Sequence, residues 1–408
     1  MRRHLVLVAA AAVAFALPAA TATAAEPTAF ETSLTKALAG PSLSLARTSA
    51  VAVDLATGTV LFAHNASLPV APASNEKLPV AWTALTQLGP GYRFHTEVYG
   101  VGERAGPSWD GDLVLKGFGD PTLTAAHLDR LASVIRGRGI LTVTGRIRGD
   151  ESFYDAKRGA AGWKPGWVGI ESPPLSALVV DRARGWPALS PPLLAAREFR
   201  DALVRRGVTV AGRPGLGVAP ATAVSLASDT SEPLSRLVVH MNHESDNFYA
   251  EMLLKQLAAA AGQVGTSPGG ARLVLAAMHE AGIPVEGVRI VDGSGLSSLD
   301  RLPAQAVVGV IGAGLADPSI RTSFLGSLAV AGVSGTLSDR LPTLRGRVKG
   351  KTGTTSLACS LSGVIGGTLA FAVVENGSPV SSWSARAAQD RFVTVLAGSS
   401  GVLASAPG

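Results

Sequence analysis

Strand-forming runs lie at the two ends of this chain, with helical patterning between them. Near the start, Ala50 to Asp54 and Thr59 to Ala63 are short β-branched-rich runs separated by Leu55-Ala56-Thr57-Gly58, which reads as an antiparallel hairpin with a glycine-containing turn. Near the end, Val348 to Thr355, Ala358 to Ile365 and Thr368 to Val374 are consecutive strand candidates, followed by a helix from Trp383 to Leu396. Strands at both ends with helices between imply an α/β (α+β) fold whose antiparallel sheet is assembled from the two termini, with a helical cluster on one face.

The helical segments are a first helix carrying Phe30, Leu34 and Leu38 at helical spacing, then Ser74 to Leu88, Pro233 to Asn242, Asp246 to Ala261 and Gly269 to Ala281. Between Tyr92 and about Ala223 the texture changes to short strands (Phe94 to Val98, Asp112 to Leu115, Thr142 to Ile147) broken by glycines and prolines, with helices expected from Leu123 to Arg136 and Pro192 to Arg206. The expected organisation is therefore residues 25–91 and 224–408 as one domain, interrupted by an inserted β-rich domain at 92–223.

Residues 1–24 have the parts of a secretory signal: Arg2 and Arg3, an apolar run from Leu5 to Leu17, and small residues closing on Ala22-Thr23-Ala24. The run is stopped by Pro18 and falls short of the roughly 20 residues that span a bilayer, so cleavage and export are expected, with no integral membrane segment afterwards. The formal charge of +6 falls by two when Arg2 and Arg3 leave, and no basic run remains, which argues against nucleic-acid binding. Cys359 is the single cysteine, so no intramolecular disulfide is possible; its small, apolar neighbours mark it as a buried hydrophobe rather than a reactive thiol.

A serine hydroxyl is a poor nucleophile until a base takes its proton, and a lysine serves as base only where a dry, cationic site makes it neutral. Serine with lysine one helical turn later supplies nucleophile and base on one face. A second hydroxyl with an amide relays the proton and grips substrate, and an edge-strand lysine binds a carboxylate while pushing the first lysine toward its neutral form. The chain offers Ser74-Asn75-Glu76-Lys77, Ser245-Asp246-Asn247 and Lys351-Thr352-Gly353 in that order. Ser33-Leu34-Thr35-Lys36 matches the first pattern equally well, but Ser33 lies within a terminal helix, whereas Ser74 follows the hairpin and opens a helix. Among the asparagines only Asn247 has a serine two places earlier, and among the lysines only Lys351 precedes Thr-Gly.

This triplet marks penicillin-binding proteins and class A β-lactamases. With Pro72-Ala73-Ser74-Asn75-Glu76-Lys77-Leu78, Asp112-Leu113-Val114-Leu115-Lys116-Gly117, Gly119-Asp120-Pro121-Thr122-Leu123, Ser245-Asp246-Asn247-Phe248-Tyr249-Ala250-Glu251 and Asp292-Gly293-Ser294-Gly295-Leu296, the chain resembles the class C low-molecular-mass, penicillin-binding protein 4-like D-alanyl-D-alanine carboxypeptidases and endopeptidases. The resemblance implies a β-lactamase/transpeptidase-like fold, peptidoglycan stem peptides as substrates, β-lactams as inhibitors, and no metal or cofactor. It implies that Ser74 attacks the penultimate D-alanine carbonyl, that Lys77 takes its proton, and that Ser245 passes it to the departing amine. Asn247 would bind the substrate backbone, Lys351 and Thr352 the terminal carboxylate, and Gly353 would let the substrate lie close. Backbone N–H groups of Ser74 and Thr354 would form the oxyanion hole. The chain departs from the family in its short insertion: the run from Val180-Asp181-Arg182 straight to Pro187 and Arg197-Glu198-Phe199 looks like the place where a smaller extra domain is missing.

Other readings fit less well. Gly346 to Thr352 ends in Gly-Lys-Thr, yet three residues separate its glycines where a phosphate loop needs four, and it leads into a strand. His240 and His243 lie on one helical face beside Glu244, but the metalloprotease pattern needs the glutamate directly after the first histidine. A β-lactamase requires a dedicated glutamate for deacylation, for which Glu171 is the one candidate before the second motif. A non-catalytic wall-binding or β-lactam-sensing module is disfavoured by intact Lys77, Ser245, Asn247 and Lys351.

Overall fold

The computed structural model describes residues 27–403, and the expected signal segment at 1–24 lies outside the described residues. The chain divides into two compact units, one of residues up to 86, 274–289 and from 300 onward, the other of residues 87–273 and 290–299. Packing groups the helices of residues 234–260 with the second unit.

The first unit is built on a six-stranded sheet ordered Ala329–Val330, Val348–Thr354, Ala358–Ile365, Leu369–Asn376, Thr48–Asp54 and Thr59–His64, with every neighbouring pair antiparallel. The sheet does close across the termini: Thr48 lies opposite Glu375 and Asp54 opposite Leu369. Helices cover both faces of this sheet rather than one. Leu369, Phe371 and Val373 point to one side, where they pack with Leu34 and Leu38 of the helix Ala29–Leu38 and with Phe392 and Leu396 of the helix Ser382–Leu403. Because side chains alternate along a strand, Val51 and Val53 point the other way, toward Val308 and Gly309 of the helix Ala304–Ala316. Two buried faces explain why the central strands read as continuous apolar runs instead of alternating ones.

The helix Ala304–Ala316 has no counterpart among the sequence expectations. It is apolar on nearly all sides and contains Gly309, Gly312 and Gly314, so it lacks the one-sided stripe that identifies a surface helix. Its glycines serve close packing: a Cβ on Gly314 would stand 2.5 Å from the Phe324 ring.

In the second unit a seven-stranded sheet runs Thr209–Val210, Thr142–Val143, Ser108–Gly117, His95–Ala105, Val224–Thr230, with Ile147–Asp150 parallel to Ser108–Gly117 and Gly215–Leu216 parallel to Ile147–Asp150. The single strand expected from Thr142 to Ile147 is two strands. At Gly145 the backbone passes so close to its neighbour that a Cβ would meet Asp112 Oδ1 at 2.3 Å, and Asp112 Oδ1 instead accepts the Arg146 N–H at 2.8 Å. Helices Ala125–Gly137 and Pro191–Arg205 bury Leu128, Leu131, Ile135, Phe199 and Leu203 in one core with Val98, Leu113 and Leu115 of the sheet. The helices Leu234–His243 and Asn247–Ala260 follow; Phe248 and Met252 of the latter pack with Tyr154 and Leu175.

Candidate active site

Ser74 does not open an α-helix directly. It sits in a 3₁₀ turn, Ala73–Glu76, which leads into the α-helix Lys77–Leu88, and Ala73 before it adopts a left-handed φ of 49°. The tight turn places Ser74 three residues ahead of Lys77 on one face, and Lys77 Nζ lies 3.0 Å from Ser74 Oγ. Lys77 is fully buried. The alternative serine, Ser33, spends its hydroxyl on its own helix, donating to the Ala29 carbonyl at 2.8 Å.

The strand Val348–Thr354 lies against this turn. Gly353 has no room for a side chain, since a Cβ would stand 2.7 Å from the Ser74 nitrogen, 2.4 Å from Ser360 Oγ and 2.9 Å from the Ala73 Cβ. Ser360, opposite Gly353 on the next strand, ties the two elements by donating to the Pro72 carbonyl at 2.8 Å. The outer neighbour, Ala329–Val330, pairs only with Gly350 and Lys349. From Lys351 to Thr354 the strand therefore has no strand partner on that side among the described residues. An edge of this kind accepts an added extended peptide.

Lys351 is fully buried, with Nζ donating to the Thr352 carbonyl at 2.8 Å. Burial, and secondarily the charge of Lys77, hold its ammonium well below the usual lysine range. Two buried lysines with mutual repulsion make a site in which holding both protons is costly. Thr352 Oγ1 donates to Thr336 Oγ1 at 2.7 Å, and Thr354 is exposed at the end of the strand.

The second unit holds the second motif. Ser245 has a left-handed φ of 57° in the short link between Leu234–His243 and Asn247–Ala260. Asp246 caps the following helix, accepting the Tyr249 N–H at 3.1 Å. Its other oxygen accepts from Arg182 at 2.8 Å and faces His240 Nε2 at 3.3 Å. Burial alone would raise this carboxyl, but the His240 and Arg182 hydrogen bonds outweigh it and bring it down to about 2. His240 is thus a partner of Asp246. Asn247 Nδ2 donates to the Glu171 carbonyl at 3.0 Å, while the Glu171 side chain is exposed.

Two carboxylates that lie in the family-like segments were given no role by the sequence. Glu251 is buried on the helix after Asn247, accepting from Gly293 N and from Ser267 Oγ at 3.0 Å; burial, then the Asp292 charge, push it up to about 8. Asp292 organises its own turn, with Oδ1 accepting from Ser294 N and Gly295 N, and Oδ2 from Ser297 N, Ser294 Oγ and the Trp163 indole. The segment Asp292-Gly293-Ser294-Gly295 was legible as a motif, but its partners Trp163 and Glu251 are remote in sequence.

The structure thus places Ser74, Lys77, Lys351, Thr352, Gly353 and Thr354 in the first unit, and Ser245 and Asn247 in the second. The profile of the D-Ala-D-Ala carboxypeptidase 3 (S13) family matches residues 30–192 and 186–398. A D-alanyl-D-alanine carboxypeptidase of Actinomadura sp. (strain R39) is 31% identical, over 83% of this chain and 79% of the relative. Carboxypeptidase DacB of Mycolicibacterium smegmatis is 31% identical over 90% and 83%. Penicillin-binding protein 4 (dacB) from Haemophilus influenzae shares the fold, with a TM-score of 0.78 over 92% of this chain and 99% of that one at 21% identity. Bd3459, a peptidoglycan endopeptidase from Bdellovibrio bacteriovorus, superposes with a TM-score of 0.55 over 85% and 90% at 17% identity. The resemblance carried by the three motifs is borne out over most of the chain, and the chain belongs to the D-Ala-D-Ala carboxypeptidase 3 (S13) family.

Proposed function

We propose that this family member is a serine DD-peptidase that cleaves the terminal D-Ala-D-Ala bond of peptidoglycan stem peptides, with peptide cross-links as a second substrate class, through an acyl-enzyme on Ser74. The observation that carries this reading is the 3.0 Å contact between Ser74 Oγ and buried Lys77 Nζ, beside the open strand edge that bears Lys351. The substrate's carboxylate binds at Lys351 and Thr352, stabilising the ammonium of Lys351. With a cation fixed beside it, Lys77 is held neutral and accepts the Ser74 proton as Oγ attacks the carbonyl carbon. The N–H groups of Ser74 and Thr354 take the charge that develops on the carbonyl oxygen. In the family reading, Ser245 passes the proton from Lys77 to the amine as the C–N bond breaks and D-alanine leaves, and Asn247 binds the peptide backbone. Water then cleaves the ester, releasing the shortened peptide and restoring Ser74. β-Lactams acylate the same oxygen.

The chain is exported, a reading supported by the arginines, apolar run and small residues of positions 1–24. Among the described residues no helix is long and apolar enough to cross a membrane. Residues 92–223 form an insertion in a catalytic domain of residues 25–91 and 224–408, supported by the family motifs on both sides of it.

The test incubates purified protein with a peptide ending in D-Ala-D-Ala and, separately, with penicillin. Free D-alanine and a long-lived adduct on Ser74 are expected. Rapid penicillin turnover would make the protein a β-lactamase, and an adduct without peptide cleavage would make it a binding module; either overturns the proposal.

A further inference from the structure

We propose that Arg182 is a positioning residue for the second motif: it holds Asp246, and through Asp246 it fixes the turn that presents Ser245 and Asn247. This inference rests on the DD-peptidase reading above, in which those two residues face the substrate.

Ser245 occupies a left-handed conformation that costs a residue with a Cβ some strain, so the turn must be held from outside. Asp246 divides its two oxygens between two tasks. One caps the helix Asn247–Ala260; the other, in a side chain only 9% exposed, accepts from Arg182 at 2.8 Å. The same guanidinium lies over the Phe248 ring, 5.4 Å from its centroid. Asn247, between these two contacts, is tied by its amide to the Glu171 carbonyl. Three successive residues, Asp246, Asn247 and Phe248, are therefore each gripped by the stretch from Glu171 to Arg182.

The grip comes from a braced element. Asp181, Arg182 and Ala183 all adopt left-handed φ values of 46°, 56° and 55°, a run of three residues with side chains in a conformation that usually falls to single residues. Neighbouring contacts enforce it: Asp181 N donates to the Leu123 carbonyl at 2.9 Å, Asp181 Oδ2 accepts the Ala125 N–H at 3.1 Å, and Ala183 is buried. An ordinary surface ion pair needs no such backbone and has little effect when lost.

The test uses the full-length protein, reading the acylation rate with a fluorescent penicillin, D-alanine release and the melting temperature. Arg182 is about half exposed, so Arg182→Ala leaves the core intact. It is expected to slow acylation by about tenfold to a hundredfold, the scale of a misplaced catalytic group, while penicillin saturation and melting temperature change little. Arg182→Lys keeps the charge at Asp246 and is expected to recover most of the rate. Adding Arg182→Ala to Asp246→Asn should slow the reaction little beyond Asp246→Asn alone, because the two act as one unit. Arg206→Ala, which removes the exposed pair with Asp129, serves as the unaffected control. Acylation of Arg182→Ala within about twofold of the parent, a lysine variant no better than alanine, or losses that simply add would each overturn the inference. Absence of any labelling in the parent protein would instead strike at the DD-peptidase reading itself.

Discussion

Glu375 offers a quantitative test of how the sheet of the first unit is held. It is 1% exposed on the strand Leu369–Asn376, with Oε2 accepting from Gln389 Nε2 at 2.7 Å and Oε1 without a hydrogen-bond partner among the described residues. Burial pushes its carboxyl from an ordinary 4.5 up to about 8, against the smaller opposing effects of the Gln389 bond and of Arg340 and Arg391. The folded protein therefore keeps a proton that the unfolded chain releases between those two values. Stability contributed by this group falls as pH rises through that window and is level on either side. At 1.36 kcal/mol per tenfold in proton affinity, burying Glu375 costs about 3 kcal/mol at pH 7, where it stays protonated, and levels off at about 5 kcal/mol above pH 8, where it ionises. Glutamine copies the protonated acid, with an oxygen toward Gln389 and an NH₂ where the proton resides. Glu375→Gln should match the parent within about 1 kcal/mol at pH 5 and exceed it by about 3 kcal/mol at pH 7 in urea unfolding followed by tryptophan fluorescence. Glu251 titrates in the same direction, but it is present in both proteins and cancels in the difference. A stability difference that stays constant from pH 5 to 8 would refute the reasoning.

The remaining expectations concern the site. Ser74→Ala should abolish covalent labelling by a fluorescent penicillin, while Ser33→Ala, which removes only a hydroxyl bonded to its own helix, should leave labelling intact; persistence of label in the first variant sinks the assignment of the nucleophile. Lys77→Ala should retain penicillin saturation but slow acylation by about a hundredfold or more, the scale of lost general-base assistance, and near-normal acylation in stopped-flow measurements would remove Lys77 as the base. Gly353→Ala forces a Cβ toward the Ser74 nitrogen and should cost about 1–3 kcal/mol of stability together with most of the acylation rate; a fully active variant would show that the strand does not need this close approach.

How much of this was legible beforehand follows from the range of the interactions. The Ser74–Lys77 pair is local, fixed by one turn of helix, so its four-residue pattern was visible in the sequence, and the preceding hairpin and following helix set it apart from Ser33–Lys36. Five strands of the sheet across the termini were legible because they are short runs of small, apolar and β-branched residues bounded by turn signals, whereas the two-residue strand Ala329–Val330 was too short to read. The helix Ala304–Ala316 was not legible, since a segment buried on nearly all sides carries no periodic stripe. In the sequence Arg182 stood out only as part of a run that looks like the place of a missing domain. Its left-handed backbone and its reach to Asp246 depend on contacts with Leu123 and Ala125 that no local pattern encodes. The pairing of Glu251 with the Asp292 turn was hidden for the same reason: a buried glutamate on a helix looks in sequence like any solvated one.

The pairing of Thr48 with Glu375 also sets the order in which the molecule can be finished. A chain made from its N-terminus has the first hairpin and Ser74 early, but the strand that shelters the hairpin's inner edge, and the strand that lies on the Ser74 turn, arrive only with the last quarter of the sequence. Until then the hairpin presents an open edge and Ser74 lacks the wall that Gly353 and Ser360 provide. Closing so long a loop is slow, and it exposes unpaired strand to other chains meanwhile. On the proposed mechanism, reactivity is thus the last property the protein acquires: a chain interrupted before Val348 contains Ser74 and Lys77, yet lacks the strand that packs against their turn.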